Sequence, residues 1–551
     1  MTRILLAATA GFVLLSACKT QQLPLTPAQR TEKGYAFTRS ITPEFIRPHI
    51  FTLADDSMQG RDTASPEELI AARYLADFHK GLGLLPAGDD NTFFQTVPFV
   101  GSVTRGYTFT FTTPSLTKTL NVDAGNADPI LVTAGANGLS EGEIIFAGLG
   151  IQDTTLGIRH LDGVDVRGTF VMVFDDIPAV AAGWTPNRRF RELILTRGAK
   201  GVITISSDTA ENFALDLALM QSGIGTPSGL RLPSTGAQPR LQLQYYTIQP
   251  DLASAILGVG LSEQGVRDLG ASLAANPRNF SPRPVNARLS VNGITGDESF
   301  PGRNVAALLP GSDPELAHEV IVLMAHYDHV GVGAPDASGD RIYNGADDNG
   351  SGTVGLLSIA NALQEAKKAG VGPRRSILFL HVTGEEKGLL GSRYYSDNPT
   401  VPIANVAAAL NLDMIGRIEA KRYESGDTNY VYLIGGSLIS SKVDSLVRVA
   451  NDKTTKIFLD PGLNDLNDPQ QIYRRSDHWN FGRLGIPFAF FFSGIHDDYH
   501  QPGDSPDKIT YEAMAERLKM IYGATIELAN DTERPVVDNQ AFIQRTQASP
   551  R

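Results

Sequence analysis

The chain has 551 residues, of which 42% are apolar and 20% charged, and its formal charge is −12. That length exceeds one ordinary core and predicts two or three structural units, while the apolar content excludes a disordered chain. The acidic balance excludes nucleic acid and an anionic membrane face as natural partners.

Met1-Thr2-Arg3 is a short basic start, Ile4 to Leu15 is apolar, and Leu15-Ser16-Ala17-Cys18 closes the run. The run is too short for a permanent membrane span and has the form of a secretory signal. Its ending resembles the bacterial lipoprotein cleavage box, and Cys18 is the sole cysteine in the chain. The resemblance implies a signal peptide at 1–17 and a lipid anchor at Cys18 as the only membrane contact. It also implies an exported protein of the bacterial cell envelope, placed on the outer membrane and facing the periplasm. Residues 18–40 are polar with scattered prolines and are expected to form a tether.

Glu67 to Leu82 has apolar residues at helical spacing and glycines behind it, which predicts a helix. Phe93–Val100 and Tyr107–Thr112 are expected as two strands. From Glu143 to about Tyr246, short apolar strands alternate with glycine-rich turns, without a pair of metal-type ligands at useful spacing. A second unit inserted at 131–284 is the expected arrangement, dividing a main domain into 41–130 and 285–530, with a loose tail at 531–551.

The main domain alternates strands and helices, which predicts an α/β fold with a mixed, mostly parallel sheet and helices on both faces. Strands are expected at Val305–Leu309, Val320–Ala325, Ser376–Val382, Val406–Leu412, Val431–Ile434 and Pro487–Phe492. Helices are expected at Gly352–Lys368, Leu389–Asn398, Ser440–Asn451 and Tyr511–Ala529.

The chemistry-bearing residues come where these strands end. His326 and Asp328 follow Val320–Ala325, Glu385 and Glu386 follow Ser376–Val382, and Asp413 follows Val406–Leu412. His500 lies in the loop after Phe492, and Asp348 precedes a glycine turn that opens a helix. In open α/β sheets the carboxyl edge is where ligands bind. Imidazoles and carboxylates there form a donor set for zinc, with cobalt or manganese also suited. Two ions roughly 3.5–4 Å apart can share one carboxylate, and Asp348 is the candidate for it. His326 and Asp413 would complete one ion, Glu386 and His500 the other. His329 and His496 stand beside the motifs as substitutes for His326 and His500. Of the neighbours Glu385 and Glu386, one can bind metal while the other acts as general base. Asp328 is placed to orient the His326 imidazole.

Five blocks carry a family resemblance: His326-Tyr327-Asp328, Gly345 to Gly352, Gly384-Glu385-Glu386, Asn411-Leu412-Asp413-Met414 and Tyr499 to Asp504. Their order and spacing resemble the M28 family of co-catalytic zinc peptidases, and Ser57-Met58-Gln59-Gly60-Arg61 extends the likeness. The Glu143–Tyr246 unit resembles the protease-associated domain that some of these peptidases carry. The resemblance implies two zinc ions held by His326, Asp348, Asp413, Glu386 and His500, with Glu385 as base. It also implies Tyr473 as an oxyanion donor and peptides as substrates. An aminopeptidase is the first reading, and a carboxypeptidase or a glutaminyl cyclase is the alternative. A receptor or scaffold on the same fold would be marked by lost ligands, and none is lost. Oligomeric state leaves no mark in the sequence.

Overall fold

The computed structural model describes residues 25–233, 243–258 and 260–547. The expected signal peptide and Cys18 lie outside the described residues. The chain divides into two compact units, one of residues 1–96 and 303–551 and the other of residues 97–302.

The first unit is built on β1 (Arg283–Leu309, its last residues), β2 (Val320–His326), β3 (Ser376–Val382), β4 (Val406–Leu412), β5 (Tyr430–Gly435), β6 (Phe458–Asp460) and β7 (Phe488–Phe492). The order is β6-β5-β7-β4-β2-β3-β1. β3, β2, β4 and β7 run parallel to one another. β1 is antiparallel to β3 and β5 is antiparallel to β7. Alternate residues of β2 enter two cores: Ile321, Leu323 and Ala325 one, Val320, Val322 and Met324 the other. Burial on both faces explains why these strands read as continuous apolar runs. Helix α1 (Gly352–Lys368) and helix α2 (Tyr511–Asn530) contribute to the first of these cores.

Two stretches expected to be loose are docked instead. Pro27–Gly34 is a helix whose first turn is closed by reciprocal bonds between Thr26 and Gln29. Arg30 Nη1 donates to Gly372 O at 2.9 Å and Tyr522 Oη to Gly34 O at 2.9 Å, so residues 27–34 are part of the fold and not a tether. Gln540–Gln547 is also helical, and Phe542 is buried edge-on to Trp479 and Phe488. Both helices are short and polar, so their anchors come from contacts distant in sequence.

The second unit has a parallel core of Gly138–Phe146, Phe170–Phe174, Gly201–Ile205 and Tyr245–Ile248. Its limits, 97 and 302, differ from the expected 131 and 284. Phe93–Val100 and Tyr107–Thr112 belong to one strand, Phe94–Thr113, which turns into Leu116–Asp123. Phe109, Phe111, Leu120 and Val122 from this hairpin share a core with Ile144, Phe146 and Phe170. Packing therefore assigns the hairpin to the second unit, although polar residues separate it in sequence from the glycine-rich strands.

Candidate metal centre

His326, Glu386 and Asp413 lie at or just past strand ends of the first unit, Asp348 in the turn before α1 and His500 in the loop after β7. His326 closes β2 and is buried. Its Nδ1 lies 3.1 Å from the backbone oxygen of Asp328 and 3.7 Å from the nearer carboxylate oxygen, so the backbone carbonyl is its close partner. The Asp328 carboxylate instead accepts from Thr63 Oγ1 at 2.7 Å and from the Glu385 N–H at 3.2 Å. Asp328 thus ties the ends of β2 and β3 together, a wider role than orienting one imidazole.

Asp348 sits in the turn before α1. Its N–H and that of Asp347 donate to the Asp504 carboxylate at 3.0 Å. Asn349 fastens the same turn to the end of β4, donating to Leu412 O at 2.9 Å. Asp347 faces away, accepting from the Gly416 N–H and lying 3.3 Å from His496. His496 therefore stands beside Asp347 and takes no part in the ligand set. His381 pairs with His79 at 2.9 Å in the core, and His478 stacks on Phe490.

The carboxylate of Asp348 is divided. Its Oδ1 lies 3.3 Å from His326 Nε2, which is also 3.4 Å from Asp413 Oδ1. Its Oδ2 lies 3.0 Å from His500 Nε2, which is 3.2 Å from Glu386 Oε2. His326, Glu385 and Asp413 gather at one end, and Asp348, Glu386 and His500 at the other, joined there by His329. Asp413 is steadied by Ser476 Oγ at 2.7 Å on its other oxygen. The backbone of His500 is left-handed, with φ 54, a conformation that costs a non-glycine residue and persists only where the surroundings impose it.

The electrostatics are those of a cation site. Asp348, Glu386 and Asp413 form ion pairs only with histidines among the described residues. Asp413 Oδ1 and His500 Nε2 are buried without a hydrogen-bond partner. Burial works against charge on His500, yet Asp348 and Glu386 outweigh it and push its pKa up to about 10. Burial raises Asp348, but the facing His326 and His500 imidazoles outweigh it and hold the carboxyl well below its usual range. Glu385 goes the other way: burial, with the charges of Glu386, Asp477 and Asp413, pushes it well up against the opposing His326. Buried carboxylates with uncommitted oxygens facing imidazoles suit divalent zinc, cobalt or manganese. The four carboxylates Asp348, Glu385, Glu386 and Asp413 carry the charge that two such cations would balance.

Tyr473 is not at this centre. It is buried edge-on to Trp479 in an aromatic core. The phenol that lines the cleft is Tyr499, stacked on His500 with ring centroids 3.9 Å apart. Its place next to a ligand in sequence was the available signal. Arg61, which the sequence offered only as part of the likeness at 57–61 and without a role, is buried and donates to Tyr327 O, Asn344 O and Gly345 O at 2.8, 2.8 and 2.9 Å. It joins the loops that carry His326 and Asp348.

Residues 304–525 match the family model described as peptidase family M28. Leucine aminopeptidase 2 of Arthroderma otae is 26% identical over 405 residues, 68% of this chain and 75% of that protein. A probable leucine aminopeptidase of Arthroderma benhamiae is 29% identical over 232 residues, 41% of this chain and 57% of its own length. The chain therefore spans little more than half the length of that curated relative. An aminopeptidase structure from Aneurinibacillus sp. strain AM-1 has a likeness of fold, with TM-score 0.50 and 19% identity over 92% of this chain and 98% of that one. Residues 304–525, the stretch that the family model matches, enclose every candidate ligand position described above, and this part of the chain resembles peptidase family M28.

Proposed function

We propose that the chain is an exported zinc-dependent aminopeptidase, removing N-terminal residues from peptides. The observation that carries the proposal is the divided Asp348 carboxylate, which gives each imidazole–carboxylate group one oxygen. His326, Asp413 and Asp348 would hold one ion and Asp348, Glu386 and His500 the other. Two bound cations would supply Lewis acidity toward a water and toward the scissile carbonyl. Glu385, whose pKa is pushed up, accepts the proton of the attacking water and delivers it to the leaving amine. The Tyr499 hydroxyl donates to the carbonyl oxygen as negative charge develops. Met414, Ile472, Phe490, Phe492 and Ile495 line the same cleft and favour an apolar N-terminal side chain. Two relatives named for leucine support that preference. The signal-like start ending at Cys18 supports export to the bacterial envelope, and the 97–302 unit is proposed to be protease-associated.

A second reading rests on Arg475, an exposed arginine at the cleft. Arg417 is held by Asp498 at 3.0 Å and Arg474 by Gln471, which leaves Arg475 as the cation that could receive a substrate carboxylate. Hydrolysis of free-amine and N-acetylated peptides by zinc-loaded protein lacking residues 1–18 separates the readings. Cleavage of the free-amine peptides alone is expected. Glu385→Gln should lower kcat about 10²- to 10⁴-fold. Tyr499→Phe should lower it about 10- to 100-fold, and Tyr473→Phe should leave it within about threefold. Release of C-terminal residues from both peptide sets would favour the carboxypeptidase. Cyclisation of N-terminal glutamine without hydrolysis would favour the cyclase.

A further inference from the structure

His329 is fully buried beside the ligand set, and the chemistry assigned so far makes no use of it. Its N–H donates to Arg61 O at 3.0 Å, which fixes its backbone. Its ring lies against Gly345, where a Cβ would meet His329 Cγ and Cδ2 at 2.6 Å. Glycine there leaves a seat for the imidazole. From that seat Nδ1 lies 2.9 Å from Glu386 Oε1 and 3.8 Å from Asp348 Oδ2. Nε2 is buried and has no hydrogen-bond partner.

The two oxygens of Glu386 therefore have different neighbours. Oε2 faces His500 Nε2 at 3.2 Å, and Oε1 faces His329. Ligand atoms about 2.0–2.1 Å from a tetrahedral zinc lie roughly 3.3 Å from one another. His500 Nε2 meets that spacing with Glu386 Oε2 and with Asp348 Oδ2. His329 meets only the oxygen turned away from His500. An ionised carboxylate accepts but cannot donate, so Nδ1 carries the proton in this contact.

We propose that His329 is a positioning residue: its Nδ1–H holds Glu386 Oε1 and so presents Oε2 alone to the ion shared with His500. This rests on the two-ion reading above. A carboxylate held in this way binds through one oxygen and leaves a coordination position open, as a catalytic ion requires.

The test is zinc binding rather than turnover. Metal-stripped full-length protein is titrated with zinc against a competing chelator, for wild type, His329→Ala, His329→Asn and His329→Gln. Wild type should bind two ions. His329→Ala should weaken one of them about 10- to 100-fold and leave the other within about threefold. The Asn amide nitrogen falls near the Nδ1 position, so His329→Asn should recover most of the affinity. The longer Gln amide should not. Unchanged affinity in His329→Ala overturns the proposal. So does equal weakening in the Asn and Ala variants, which would mean that the ring only fills space. Fewer than two ions in wild type overturns it together with the two-ion reading. Two ions with normal variant ranking but no peptide cleavage would sink the peptidase reading and leave the role of His329 standing.

Discussion

Both units place parallel strands side by side and spend a buried arginine on backbone carbonyls, Arg61 in the first and Arg189 in the second, yet among the described residues only the first gathers buried carboxylates and imidazoles into one cluster. In the second unit Arg189 is buried and spends its guanidinium on the backbone, donating to Leu149 O at 3.2 Å, Phe174 O at 2.8 Å and Asp175 O at 3.3 Å. That charge is satisfied by fixed dipoles and holds strand ends in place. In the first unit the strand ends bring carboxylates and imidazoles together, and Asp413 Oδ1 and His500 Nε2 are left without hydrogen-bond partners. Burial of a polar group is a cost that a stable fold offsets at once. A cluster that leaves it unmet is built for something that binds.

The largest expected effect that sharpens this contrast is at Asp348. Asp348→Asn removes the one carboxylate common to both groups, and activity should fall at least about 10³-fold with loss of zinc at both positions. Elemental analysis and turnover of the dialysed variant check this; retention of two ions with near-normal turnover would break the comparison from the side of the first unit. Arg189→Met tests the other side. It leaves several buried carbonyls unpaired and should cost about 2–4 kcal/mol of stability, read by urea denaturation, with zinc content unchanged. A stable variant would mean that the arginine is no structural clasp.

A third effect is one of pH. Burial pushes His478 and His79 of the first unit down to about 3. In the unfolded chain a histidine titrates near 6.5, so between those values the unfolded state binds the proton and the folded state does not. The contribution of these two groups is thus complete above about pH 6.5 and declines toward pH 3, by about 1.4 kcal/mol per pH unit for each histidine. Urea midpoints at fixed zinc between pH 7 and 4.5 measure the slope. His478→Phe keeps an aromatic ring beside Phe488 and Phe490, and should flatten the slope by one histidine. An unchanged slope would show that His478 does not set it.

The sequence by itself determined the central sheet and the types of residue at its edge. β3, β4 and α1 lie at the expected residues, because strands buried on both faces must be apolar throughout and a helix must show its stripe every three or four residues. His326, Glu386 and Asp413 were legible as candidates because chemistry that follows a strand end interrupts those runs abruptly, and Asp348 and His500 because glycine-rich turn and loop motifs carry them. Tertiary structure alone decided the rest. It turned Asp347 toward His496 and Asp348 toward both imidazoles, because Asp504 grips the turn from more than 150 positions away in sequence. It put Tyr499 in the cleft and Tyr473 in a core, and gave His329 a partner in Glu386. It also assigned the hairpin from residue 97 to 123 to the second unit and docked the helices at Pro27–Gly34 and Gln540–Gln547. Local periodicity records which faces are buried, but which distant group a side chain meets depends on how the chain returns to itself.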